Sequence, residues 1–266
     1  MRSIVFASGK GGVGRTSIAL NLGIMLSSAG KKVVVVDADI SMANISLLLG
    51  VERTPISIQN VLMGEANIED AIYEGPNGLR YIPAELSLER VKSVDYEKLA
   101  DVVKTLDEYD FVLLDSPPGL GRDAEAAMKA AGEAVLVLTP EPGALADALK
   151  VKNFADKKGV KVLGFAVNMV LRDKAEIRKQ DLETILGAKA LVEIPVDLEV
   201  RRSSAMQIPV VVRAPHSPFS RAMRVLAAKL TGEAIEVQVK VKKGFFSRLL
   251  EWLFGRKKKE EAKEAK

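Results

Sequence analysis

The chain has 266 residues, 48% of them hydrophobic and none a cysteine. That is enough for one large α/β domain with a sizeable core, or two small ones, and it rules out disulfides, thiolate metal sites and iron–sulfur ligation. The net charge of +4 is unevenly placed: residues 240–266 hold ten Lys/Arg and four Asp/Glu, a surplus of six, which leaves 29 basic and 31 acidic residues and a net −2 on the first 239. A slightly acidic body argues against wrapping DNA. No apolar run approaches the roughly 18 residues of a membrane-spanning helix. The first residues, Met-Arg-Ser-Ile-Val-Phe, enter a strand pattern directly, without the look of a signal peptide, so a cytoplasmic protein is expected.

In chain order, the apolar run Ser3–Ala7 predicts a strand and Thr16–Ser28 a helix. Further strands are predicted at Lys32–Asp37, Leu79–Pro83, Phe111–Asp115, Ala134–Thr139, Lys161–Asn168 and Ala190–Ile194. Helical periodicity covers Asp95–Leu106, Arg122–Ala131, Ala144–Phe154, Lys174–Ile185 and Ser217–Leu230. Most of the strands are continuously apolar, as strands covered on both faces are. The alternation predicts an α/β fold: a mostly parallel sheet of about seven or eight strands with helices on both faces. Residues 1–231 read as that domain, 232–243 as a linker or weak edge strand, 244–259 as an amphipathic helix with a basic flank, and 260–266 as a solvated tail. In such sheets ligands lie beyond the carboxyl ends of the strands, so the residues that follow each strand are the ones to inspect.

After the first strand comes Gly9-Lys10-Gly11-Gly12-Val13-Gly14-Arg15-Thr16-Ser17, with the spacing of a phosphate-binding loop in the strand–loop–helix context such a loop needs. Glycines let the backbone curl around a phosphate with no Cβ in the way. The freed N–H groups and the positive end of the next helix then hold the anion. Thr16 is placed to offer its hydroxyl to Mg²⁺. The next strand ends in Asp37-Ala-Asp39 and runs on to Asn44; the strand Phe111–Leu114 ends in Asp115-Ser-Pro-Pro-Gly119. A hard cation takes oxygen ligands, often through its waters, and an attacking water needs a carboxylate to orient it. Asp115 therefore reads as a water-mediated Mg²⁺ partner, and Asp39 as the water-positioning group that also faces the metal through water. Asp37 reads equally well as a helix cap or turn former.

Taken together, Lys-Gly-Gly-Val-Gly-x-Thr, Asp-x-Asp-x4-Asn and Asp-x-Pro-x-Gly resemble the signature set of the deviant-Walker-A ATPases, the ParA/MinD family of P-loop NTPases, and in particular its membrane-cycling MinD-type branch. The resemblance covers nearly the whole chain. It implies ATP/ADP and Mg²⁺ as cofactors and an ATP-bound homodimer with nucleotides sandwiched between subunits. It assigns to Lys10 the signature lysine that reaches the other subunit's phosphates, to Asn44 and Gly119 switch positions, and to Asp147, after Thr139-Pro-Glu-Pro, a dimer contact. Asn168, Pro195 and Asp197 match adenine-binding positions. The chain departs from the family at Arg15, where lysine is usual. Arginine keeps the charge but is longer, planar and bidentate in habit, so normal hydrolysis, slow hydrolysis and a nucleotide-locked switch all remain open.

Near the end, Phe245, Phe246, Leu249, Leu250, Trp252, Leu253 and Phe254 cover about 200° of a helix at 100° per residue, with lysines on both sides. Too short to span a bilayer, this segment suits the surface of an anionic membrane; two copies in a dimer bind better than one. The first reading is an ATP-hydrolysing dimeric switch, peripheral on the inner face of the cell membrane, that positions a partner assembly through an unidentified activating or cargo protein, as in cell division. The alternatives are a nucleotide-binding membrane scaffold with little hydrolysis because of Arg15, and a ParA-like DNA-partitioning ATPase, against which the acidic body counts.

Overall fold

The computed structural model describes residues 1–85 and 94–235. The segment 236–266 lies outside the described residues, and with it the membrane-targeting helix read from Phe245 to Phe254. In chain order the elements are β1 (Arg2–Ala7), α1 (Arg15–Ser28), β2 (Val33–Asp37), α2 (Ile45–Leu48), α3 (Ile58–Leu62), β3 (Tyr73–Glu74), β4 (Arg80–Ile82), α4 (Leu99–Lys104), β5 (Phe111–Asp115), α5 (Arg122–Ala131), β6 (Glu133–Leu138), α6 (Pro142–Lys157), β7 (Lys161–Val170), α7 (Lys179–Leu186), β8 (Ala190–Pro195), α8 (Leu198–Ala205), α9 (Val210–Arg213) and α10 (Pro218–Thr231).

Eight strands form one sheet in the order β3-β4-β2-β5-β1-β6-β7-β8. Every neighbouring pair is parallel except β3 with β4 at the edge. Both faces of the central strands are buried, and successive side chains point to opposite faces. Ile4, Phe6, Val33 and Val35 enter the core shared with α1 and α10, while Val5, Ala7, Val34 and Val36 enter the core on the other side. This is why the strands read as unbroken Val/Ile/Leu runs rather than as alternation. Helix α1 lies so close to the sheet that a Cβ on Gly23 would stand 2.5 Å from Val35 Cγ2. The parallel register sets Asp37 beside Asp115 across β2 and β5, and Phe6 of β1 beside Asp115 on the other side. The acidic strand ends therefore converge at the edge where the loop after β1 begins.

Each expected strand is present, within a few residues at its ends, and the short β3 completes the eight. The helix expected over Lys174–Ile185 begins only at Lys179, because Glu176 turns its carboxylate back to accept the Leu171 and Arg172 N–H groups, both at 2.8 Å, and closes a loop there. The stretch expected as a helix from Asp95 starts as a 3-10 turn over Tyr96–Lys98, with Asp95 accepting the Glu97 N–H at 3.2 Å, before α4 begins. Short helices α2, α3, α8 and α9 carry no periodicity long enough to announce them. Residues 232–235 form no strand, and Ile235 packs into the α1/α10 core.

Candidate functional site

The loop from Ser8 to Gly14 leaves the carboxyl end of β1 and feeds α1. Gly12 and Gly14 have φ of 77° and 90°, a left-handed backbone that side chains disfavour. Gly14 sits at the N-cap of α1, and its carbonyl accepts the Ile18 N–H at 3.0 Å. Gly9 is required for a different reason: a Cβ there would lie 2.5 Å from Asp147 Cβ and 2.8 Å from the Asp147 carbonyl. Asp147 thus backs the loop from α6, its carboxylate pairing with Lys150 at 3.1 Å. Asn168, buried after the core of β7, donates its side-chain amide to the Val13 carbonyl at 2.8 Å and closes against Gly14. The loop is therefore held from two sides.

The loop borders a cavity of about 750 Å³ lined by Gly11 to Ser17, Asp39, Asn44 and Pro118. It adjoins a second cavity of about 550 Å³ lined by Asn168, Pro195, Asp197, Val200 and Phe219; Gly14, Ser17, Met169 and Ser204 border both. The first is lined by the glycine loop with Asp39 as its one carboxylate, and the second is the more apolar of the two. A polyanion joined to a flat apolar group fits that division. Asp197 contributes from the wall: its Oδ1 accepts the Glu199 N–H and its Oδ2 the Phe219 N–H, both at 3.0 Å, so it caps α8 and ties it to α10.

Lys10 is exposed, its ammonium 3.9 Å from Glu141 on the rim, a contact that binds it weakly. Its backbone is fixed from beneath, the carbonyl accepting from Ser8 Oγ at 2.7 Å and from Arg15 Nη1 at 3.3 Å. Gly119, with φ of 85°, donates its N–H to the Ser8 carbonyl at 2.8 Å, which joins the segment after β5 to the loop after β1.

Three carboxylates are buried here: Asp37, Asp39 and Asp115. Asp37 Oδ2 accepts the Asn44 and Ile45 N–H groups at 3.0 and 3.1 Å and so caps α2, leaving Oδ1 without a partner. The capping role that its sequence context allowed is the one it fills. Burial, and secondarily Asp115, raise its pKa well above the usual carboxylate range. Asp39 Oδ1 accepts the Met42 N–H at 3.1 Å, and its Oδ2 lies 3.7 Å from Arg15 Nη2. Burial raises Asp39, and Arg15 partly restores it. Both oxygens of Asp115 lack a hydrogen-bond partner. The Thr16 hydroxyl stands near enough to favour the ionised form without reaching full hydrogen-bond geometry, and burial dominates, pushing Asp115 up to about 7. No group of three acidic or imidazole side chains among the described residues forms a ready metal cage.

Arg15 is the one buried basic side chain among the described residues. It turns inward: Nη1 bonds Ser8 Oγ, Nη2 faces Asp39, and Nε has no partner. Burial lowers its pKa, opposed by Asp115 and Asp39. Sequence reasoning placed the cation but not its direction, and passed over Ser8, although a serine directly after the first strand meets the rule for where to look. Met169, Ser204 and Gln207 line the cavity with no signal in the sequence.

The raised Asp115 pKa fixes a pH dependence. Between the ordinary value of 3.8 and about 7, the folded protein holds a proton that the unfolded chain releases, so stability falls as pH rises through that window. Asp115→Asn removes this slope. Thermal unfolding should show the variant gaining on the unsubstituted protein from about pH 4 to about pH 7 and keeping a constant lead above it; parallel curves across that range would contradict the assignment.

Comparison with known proteins agrees with this geometry. An AAA-domain family model matches residues 1–159, and a model for ParA, described as a NUBPL iron-transfer P-loop NTPase, matches residues 90–231. An uncharacterized ATP-binding protein of Methanocaldococcus jannaschii is 40% identical, over 96% of this chain and 97% of its own. The cell division ATPase MinD of Pyrococcus furiosus superposes with a TM-score of 0.84 at 39% identity, covering 87% of this chain and 98% of that one. The septum site-determining protein MinD of Pyrococcus horikoshii, solved with Mg-ADP, gives 0.83 at 38%, covering 86% and 95%. The chain belongs to the ParA/MinD family of P-loop NTPases and is of its MinD type.

Proposed function

We propose that this protein is an ATP-hydrolysing switch that dimerises with ATP between its subunits, attaches reversibly to the anionic inner face of the cell membrane, and there places a partner assembly of the division type. One observation carries the reading: the glycine loop and Asp39 line one cavity, and Asp115, on the strand beside β1, keeps two buried oxygens without a hydrogen-bond partner. Unpaired buried carboxylates are costly, and a divalent cation brought in with phosphate relieves that cost. Mg²⁺ takes one or two carboxylates plus substrate oxygens rather than an all-protein cage, so this donor set fits it. Thr16 would hold the ion directly, Asp115 and Asp39 through water. When bound, it supplies positive charge against the phosphate oxygens.

The chain's own groups do the rest. Loop amides from Gly11 to Ser17 and the α1 dipole hold the phosphates. The apolar cavity at Asn168, Pro195 and Asp197 takes the base. Asp39 orients water against the terminal phosphorus, and the products are ADP and phosphate; catalysis of this kind is chiefly positioning and electrostatics. Lys10, fixed in its backbone and free in its side chain, reaches the nucleotide of the second copy, with Asn44, Gly119 and Asp147 on the same face. Attachment is assigned to the apolar face that the sequence gives to Phe245, Phe246, Leu249, Leu250, Trp252, Leu253 and Phe254. A second reading, a nucleotide-binding scaffold with little turnover, draws on the inward turn of Arg15 toward Asp39.

Phosphate release with Mg²⁺-ATP, with and without anionic vesicles, tests the hydrolysis. The full chain should release phosphate, faster on vesicles, and Lys10→Ala should lose roughly a hundredfold or more, as for a cation supplied in trans, while still binding ATP. Bound ATP with no release from the full chain would leave only the scaffold. For the anchor, a chain ending at Lys243 should no longer sediment with phosphatidylserine vesicles; undiminished sedimentation would remove the tail from the account.

A further inference from the structure

We propose that Arg15 is a positioning residue for Asp39: its buried guanidinium is a built-in counter-ion that clamps the switch carboxylate to the phosphate loop before nucleotide or metal arrives. The inference rests on the nucleotide-site reading for its meaning, while the contact itself is between side chains of this chain. Three features carry it. Arg15 is 7% exposed, with Asp39 and Asp115 as the buried acids beside it. Its two terminal nitrogens point to different segments, Nη1 to Ser8 Oγ and the Lys10 carbonyl after β1, Nη2 to Asp39 Oδ2 after β2 at 3.7 Å. Asp39 passes the restraint on, since its other oxygen accepts the Met42 N–H at 3.1 Å, a donor shared with the Asp39 backbone carbonyl at the same distance, and so reinforces the turn leading to Asn44.

A planar fork is what this arrangement needs. An ammonium is a point charge on a flexible stem and cannot present two rigidly spaced donors to two segments at once. Arginine in this position therefore trades a cation free to slide along the phosphates for one tied between loop and switch. With Arg15 facing inward, the chain's own phosphate cradle consists of backbone amides and the α1 dipole, and Lys10 comes from the second copy. The consequence is a switch segment ordered in the nucleotide-free protein, and a terminal phosphate that receives less direct cationic help from its own loop.

The test uses the nucleotide-free full chain, so its result does not depend on whether ATP binds. Hydrogen exchange at the Met42 amide should quicken at least tenfold in Arg15→Met, with α10 amides unchanged, and Arg15→Met should add nothing further in an Asp39→Asn background. Arg15→Lys should fall short of full restoration although it keeps the charge. In chemical denaturation the double variant should lose less than the sum of the two single losses. Additive losses, or exchange at Met42 that rises only in step with α10, would overturn the proposal. If Arg15→Met does not fold, the same comparison is made with Arg15→Lys alone, where unchanged Met42 exchange overturns it. ATP titration of the unsubstituted chain is run separately: coupling without ATP binding would retain the Arg15 clamp and reject the nucleotide reading.

Discussion

Burial of acidic charge at one edge of a parallel sheet is the constraint on which the rest of this molecule depends. Register places Asp37 and Asp115 side by side at the ends of β2 and β5, with β1 and its loop next to them. Carboxylates so close together in a desolvated place cannot all ionise freely, and each is managed differently. Asp37 takes backbone N–H groups and becomes a cap, Asp39 takes Arg15, and Asp115 is left with a nearby hydroxyl and the charge of Arg15 but no hydrogen bond. On the proposed function, the counter-charge that Asp115 lacks is supplied by the ligand.

The loop after β1 is built around the same need. Its glycines permit the curl, but its position comes from contacts remote in sequence: Asp147 behind Gly9, Asn168 on the Val13 carbonyl, Gly119 on the Ser8 carbonyl. The two segments expected to respond to nucleotide, around Asn44 and around Gly119, are each hydrogen-bonded into this arrangement rather than hanging from it. Contacts run from Ser8 through Arg15 and Asp39 to the turn at Met42.

Much of this was legible in the sequence because the relevant signals are local. Continuous Val/Ile/Leu runs announce strands buried on both faces, and an apolar strand ending in Asp announces a polar site at its carboxyl end. The phosphate loop is legible for the same reason, being one octet between one strand and one helix. What escaped depends on distant partners. The direction of Arg15 is decided by Ser8 and Asp39, and the second bond made by Asp197 by the Phe219 N–H of another helix; for Asp37, capping was one of two open readings, and amides seven and eight residues later decide it. The helices α2, α3, α8 and α9 are held by packing on neighbours, and their own four to eight residues carry too little periodicity to be read.

The central claim is that this edge distinguishes two nucleotides by one phosphate and reports the difference by pairing with a second copy. The direct measurement is the mass of the full chain by sedimentation velocity, with Mg²⁺ and either a non-hydrolysable ATP analogue or ADP. The account predicts a species of twice 28.8 kDa with the analogue and of 28.8 kDa with ADP. The same mass with both nucleotides, each shown to be bound, would contradict it.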